Sequence, residues 1–371
     1  MKKVLLLFVL CFQFLSAQEL ALIMEKKDIG YINKSGEIVI EPQFRKADSF
    51  SEGLAAVEKD KQWGYINTNG KWVIEPQFDR AKEFNDGIGV VEKDKEWFYI
   101  NKKGERLFTP DTDKIYDFNN GLAFIRNDKK IGLINTKGET VLSPTYDVIR
   151  DFKGNHARVR NDGLWGMIDK TGKLVISVEY DDLGEMHKNV TFAKKGEVYG
   201  LISNNSFTPV PDAERIWDFH TTDLTYAQKE GKIGFIDTKG KWVIEAKFDK
   251  AKAFESGLAP VYTDGSWGFI NTSGDMVVKP SYNDAEVFSK SGLAPVKDGK
   301  EWGFINTKGE LVIPAEYQIT AGSFGGLFGG EDKGFIDGVA RVRHKKSWGF
   351  LKTDGSILGG KMYDRAELFQ K

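Results

Sequence analysis

The chain has 371 residues, a formal net charge of −1 and a single cysteine. That length suits two ordinary domains or one array of repeats. With no basic surplus to neutralise phosphates, nucleic acid is not an expected partner.

Residues 1–17 read as a secretory signal. Lys2 and Lys3 precede the apolar run "VLLLFVLCFQFL", and Ser16-Ala17 offer small residues for cleavage before Gln18. The run is too short for a stop-transfer helix, and no later stretch is apolar for long enough to span a bilayer as a helix. Cys11 lies inside the signal behind the bulky Leu10, which disfavours lipidation. The expected mature chain, 18–371, therefore has no cysteine and must be stable without disulfides; losing Lys2 and Lys3 takes its charge to −3. Export to the periplasm, the cell surface or the medium is the expectation.

From Gln18 onward one phrase recurs. "KQWGYINTNGKWVIEP" at 61–76 returns as "GKIGFIDTKGKWVIEA" from Gly231 and "GKEWGFINTKGELVIP" from Gly299. The glycine after the tryptophan slot falls at Gly30, Gly64, Gly132, Gly166, Gly200, Gly234 and Gly268, with Phe98 in the remaining step, so the period is 34. It lengthens to 35 at Gly303 and 46 at Gly349, giving ten units. Gly, Pro, aromatic and β-branched residues at fixed slots exclude a helical repeat of the same length.

Each unit predicts three short strands, in the second unit about 54–58, 63–67 and 72–75, joined by the tight turns "EKDK" and "NTNG". Pro260 and Pro295 within first strands predict that this strand is an edge. The connector carries aromatics at two further slots, including Phe78 and Phe84. A lone three-stranded sheet cannot bury its faces, so stacked units must supply the core.

The pattern W-G-[YF]-I-[ND]-x-x-G-x-x-V-I-x-P resembles the WG-repeat family of bacterial β-rich proteins across almost all of the chain after the signal. The resemblance implies an all-β repeat protein that serves binding, and it brings no catalytic motif. Departures are Ile29, Ile131, Tyr199 and Ile233 at the Trp slot, Phe98 at the Gly slot, and Ser206 at a turn glycine. WD40 blades are a poor match, because their period is about 40–45 residues and their Gly-His and Trp-Asp signatures are absent here.

Candidate chemistry is sparse. Asp79, Asp113, Asp147, Asp181, Asp249 and Asp364 recur after the first connector aromatic, where Asp would cap a helical turn. His156, His187 and His220 are about one repeat apart, but units about 10 Å apart would not bring them to bonds of about 2.1 Å on one metal ion. The Trp slot, including Trp63, Trp165 and Trp267, predicts core. Trp72, Trp217 and Trp242 lie outside that slot and, with His187 and His220, form the candidate ligand surface, three of the five in the divergent stretch 155–226. The Gly-rich insertion at 322–334 adds Leu327 and Phe328 as residues that could reach a partner. No Ser/His/Asp or Cys/His arrangement is present, and no cofactor or metal is expected.

These readings predict an all-β tandem array of about ten three-stranded meanders. An open curved array is favoured over a closed, propeller-like ring. The expected function is that of a non-catalytic binding protein for a glycan, peptide or envelope partner. The alternatives are a structural cell-surface spacer and a hydrolase with a site in the divergent middle.

Overall fold

The second repeat shows how the sequence makes its unit. Leu54–Lys59, Gln62–Asn67 and Trp72–Phe78 pair as an antiparallel meander. Asp60 and Lys61 both take positive φ, the conformation a two-residue hairpin turn needs to match strand twist. In the next turn the Asn67 side chain accepts hydrogen bonds from the Asn69 and Lys71 amides at 3.0 and 3.1 Å, and Gly70 supplies a φ of 73°. The outer strand then bulges, because Trp63 pairs with Phe78 but Tyr65 pairs with Ile74. The bulge drives the outer backbone onto Gly64, where a Cβ would sit 2.5 Å from the Ile74 carbonyl oxygen. The glycine beside the tryptophan is therefore required by close approach. Phe98 proves the rule from the other side: its unit has a single bridge, Ile100 to Arg106, in place of an outer strand, and the Arg106 guanidinium lies 4.6 Å over the Phe98 ring.

The computed structural model describes residues 18–319 and 333–370. Among these, ten antiparallel sheets follow one another along the chain, with one three-residue 3-10 helix after them. Residues 1–17, expected from sequence to be a signal, and Leu327 and Phe328 lie outside the described residues.

The connector contributes what the sequence reading missed. Its first residues form a short fourth strand on the next sheet, as Lys250–Ala251 does beside Leu258–Thr263. The first strand of the meander is thus the second strand of its sheet and not an edge. Proline is tolerated there because the Pro260 and Pro295 carbonyls accept the connector amides of Lys252 and Glu286, each at 2.9 Å. The side facing the connector uses that carbonyl, and the missing N–H points the same way. Four of the six recurrent acids accept backbone amides, but in hairpin turns of the following sheet and not in helical turns. Asp79 accepts from Asp94, Asp147 from Asp162 and Asp181 from Gly196, at 2.7–2.9 Å.

The array closes. Arg365–Gln370 pairs antiparallel with Leu20–Glu25, so the last connector gives the first sheet its fourth strand. Asp364 caps the first hairpin through the Lys26 amide at 2.8 Å, repeating the contact made between consecutive sheets. One apolar cluster joins Ala21, Ile23 and Ile32 to Val339, Phe350, Leu358 and Tyr363. Nine other clusters join each sheet to its successor. The molecule is a ten-bladed β-propeller, with blades numbered here from the N-terminus. The favoured open array is corrected for a physical reason: the final connector is itself a strand, and it satisfies the edge of blade 1 that an open array would leave unpaired.

Candidate binding surface

In this ring the connector crosses from the outer strand of one blade to the inner edge of the next. The outer strands expose Val73, Val243 and Leu311 at 44, 44 and 52%. The inner edges bring charges of successive blades together around the axis. Lys82 pairs with Asp117 at 2.9 Å, Lys252 with Glu286 at 2.8 Å, and Arg341 with Glu367 at 2.5 Å. Asp48 and Glu83, from adjacent blades, have no side-chain partner among the described residues. Burial pushes the Asp48 carboxyl up to about 6. Burial, then the charges of Asp48 and Asp117, push Glu83 up to about 7.

One slot on the second strand of each sheet separates the regular blades from the divergent ones. It holds Ala56, Val90, Pro260 and Pro295, all buried, in blades 2, 3, 8 and 9. In blades 4, 5 and 7 it holds Phe124, Arg158 and Tyr226, each half-exposed. Tyr226 stacks on Trp217 with ring centroids 4.9 Å apart, and Arg215 covers Trp217 at 4.7 Å. Phe124 meets Tyr116 edge-on at 5.8 Å. A cavity of about 40 Å³ between blades 4 and 5 is lined by Asp117, Asn119, Phe124 and Asp151, among others. Blades 4, 5 and 7 thus half-expose large aromatic or charged groups at a slot that the other blades bury, Phe192 in blade 6 and Arg341 in blade 10 included.

Blade 5 adds a cluster. Arg158 and Arg160 alternate on one strand, and Trp165 lies directly across from Arg160. Arg150 is placed beside Arg158 by its amide, which donates to the Arg158 carbonyl at 2.9 Å. The three guanidinium carbons lie 5.7, 5.8 and 5.7 Å from the Trp165 ring centroid. Every other ring with a cation over it, among the described residues, has one. Arg158 pairs with Glu185 of blade 6 at 2.8 Å and donates to the Leu183 carbonyl at 2.9 Å, while its buried Nε finds no acceptor.

The residues singled out from sequence do not form one surface. Trp72 and Trp242 are half-buried between blades, Trp72 edge-on to Phe44 at 6.5 Å and Trp242 donating from Nε1 to the Pro211 carbonyl at 3.2 Å. The Trp slot is not uniformly core either: Trp267 and Trp302 are buried at 7%, but Trp63, Trp97, Trp165 and Trp348 are half-exposed. Trp217 belongs to the divergent face. His187 stacks on Phe219 at 5.6 Å and meets Asp223 at 3.0 Å, and His220 is exposed. Among the described residues no three His, Cys, Asp or Glu gather as metal ligands. The arginines were missed, although "HARVR" at 156–160, where the second unit reads "LAAVE", was the visible signal.

No curated protein matches the chain. Among solved structures, a eukaryotic initiation factor is similar at 12% identity and a TM-score of 0.49, with 95% of this chain and 98% of that one covered. The extracellular domain of a hybrid two-component system of B. thetaiotaomicron is similar at 15% identity and a TM-score of 0.25, covering 94% of this chain and 57% of that one. PorZ, a surface component of the type-IX secretion system of Porphyromonas gingivalis, is similar at 9% and 0.24, covering 94% and 59%. These likenesses are too loose to transfer a role. The repeat itself is specific: WG containing repeat matches fall at residues 29–63, 63–97, 97–130, 131–165, 165–199, 233–266, 267–301 and 302–324, in step with the blades. The chain belongs to the WG containing repeat family.

Proposed function

We propose that the protein is an exported, non-catalytic binding module that presents the inner ends of blades 4–7 to a cell-envelope glycan. The observation that carries this is the slot occupied by Phe124, Arg158 and Tyr226. Half-exposed aromatic and charged groups are costly at a slot that the other blades bury, and they suit recognition. The remaining blades serve as the rigid frame that a binding surface needs.

The test is retention of soluble envelope polysaccharide fractions by the immobilised mature protein. Tyr226→Ala should weaken retention, whereas Val277→Ala on the exposed outer strand of blade 8 should not. Equal retention by both variants would refute the placement. Export is checked separately by the N-terminus of the protein recovered from native cells, expected near Gln18; an intact Met1 would overturn it.

A further inference from the structure

We propose that the arginine cluster around Trp165 of blade 5 is a carboxylate site, and that its ligand is a polysaccharide bearing uronic acids. The inference rests on the binding reading above for its location, and it names the ligand class.

Arg150, Arg158 and Arg160 share the Trp165 ring. At 5.7–5.8 Å each guanidinium is within cation–π range of the ring, and the planar N–H fork of an arginine can take a carboxylate in two parallel hydrogen bonds. Like charges gathered this closely repel one another, and an anion between them removes that cost.

The chain supplies only part of the compensation. Glu185 takes Arg158. Arg160 lies near enough to Asp147 to help hold that carboxyl below its usual range, but Lys130 is the stronger partner there, at 2.8 Å. Arg150 is exposed and has no ion pair among the described residues. With Lys130 counted, four cations face two carboxylates, and the surplus of two positive charges, carried by Arg150 and Arg160, suits two carboxylates on successive residues of one chain.

A sugar is favoured over an acidic peptide because one ligand class would then use both kinds of residue the divergent blades offer. Pyranose rings would lie against the half-exposed aromatics Tyr116, Phe124 and Tyr226 on either side, with carboxylates on the arginines. An acidic peptide would engage the arginines alone.

The experiment is calorimetric titration of the mature protein with tetragalacturonate, neutral tetragalactose and tetraglutamate, using the unaltered chain and R150Q/R160Q. Both side chains are exposed, so the variant should fold, and circular dichroism checks this. The expected result is uronate binding that weakens with salt, falls at least about tenfold in the variant, and has no counterpart with tetragalactose. Uronate affinity unchanged in R150Q/R160Q would overturn the arginine site. Tetraglutamate bound as tightly as the uronate would overturn the polysaccharide assignment in favour of an acidic peptide. If envelope fractions are retained but tetragalacturonate is not bound, this inference falls while the proposed function stands; if neither binds, both fall.

Discussion

Glu83→Gln should stabilise the propeller above pH 7 and change little at pH 4. Burial, then the charges of Asp48 and Asp117, raise the Glu83 pKa from 4.5 to about 7. A folded-state pKa above the unfolded one means that ionisation costs folding free energy. The cost is absent below about pH 4, grows as pH rises toward 7, and is constant above that. Over about 2.5 units at about 1.4 kcal/mol each it reaches about 3.5 kcal/mol, and screening by the solvent that reaches this half-buried group brings the expectation to about 2 kcal/mol. Gln keeps the shape and removes the charge. Its melting temperature at pH 8 should therefore exceed that of the unaltered protein by a few degrees. Melting curves at pH 4, 6 and 8 measure this. A gain that persists at pH 4 would show that shape, not charge, was responsible. No gain at pH 8 would show that the unpaired axial carboxylates are not destabilising.

Gly64→Ala should lose about 1–3 kcal/mol or more, because its Cβ would meet outer-strand backbone that cannot withdraw; denaturant melts equal to those of the unaltered protein would refute the close-approach argument. Trp267→Ala, at a buried slot in blade 8, should cost about 3–5 kcal/mol without loss of ligand retention; the reverse outcome would make the slot functional. Removing residues 365–371 should lower the melting temperature and expose the unpaired strand Leu20–Glu25, and a truncated chain as stable and as monodisperse as the full one would deny closure through that strand. Labels at Gln18 and Gln370 should report a short, narrow distance distribution, since Leu20 pairs with Gln370.

The sequence by itself determined the unit. Turn signals at the fixed slots of Asp60, Lys61 and Gly70 set the hairpins, short apolar runs between them set the buried strands, and the period of 34 set ten copies. These are local properties, legible because the same residues meet the same neighbours in every copy. The connector strand, the hairpin-capping acids and closure were decided by tertiary structure, because each depends on where the next blade lies. "DRAELF" at the C-terminus reads like "DRAKEF" at 79–84, yet nothing within it says that the sheet it joins begins at Leu20. The candidate site divides in the same way. Arg158 and Arg160 stand out within one strand of sequence, but their convergence with Arg150 on Trp165 follows from cross-strand register and the pairing of the connector strand. A repeat fixes its own fold through contacts that recur, whereas a site arises where one copy departs from the rest, and only the packed ring shows which departures meet.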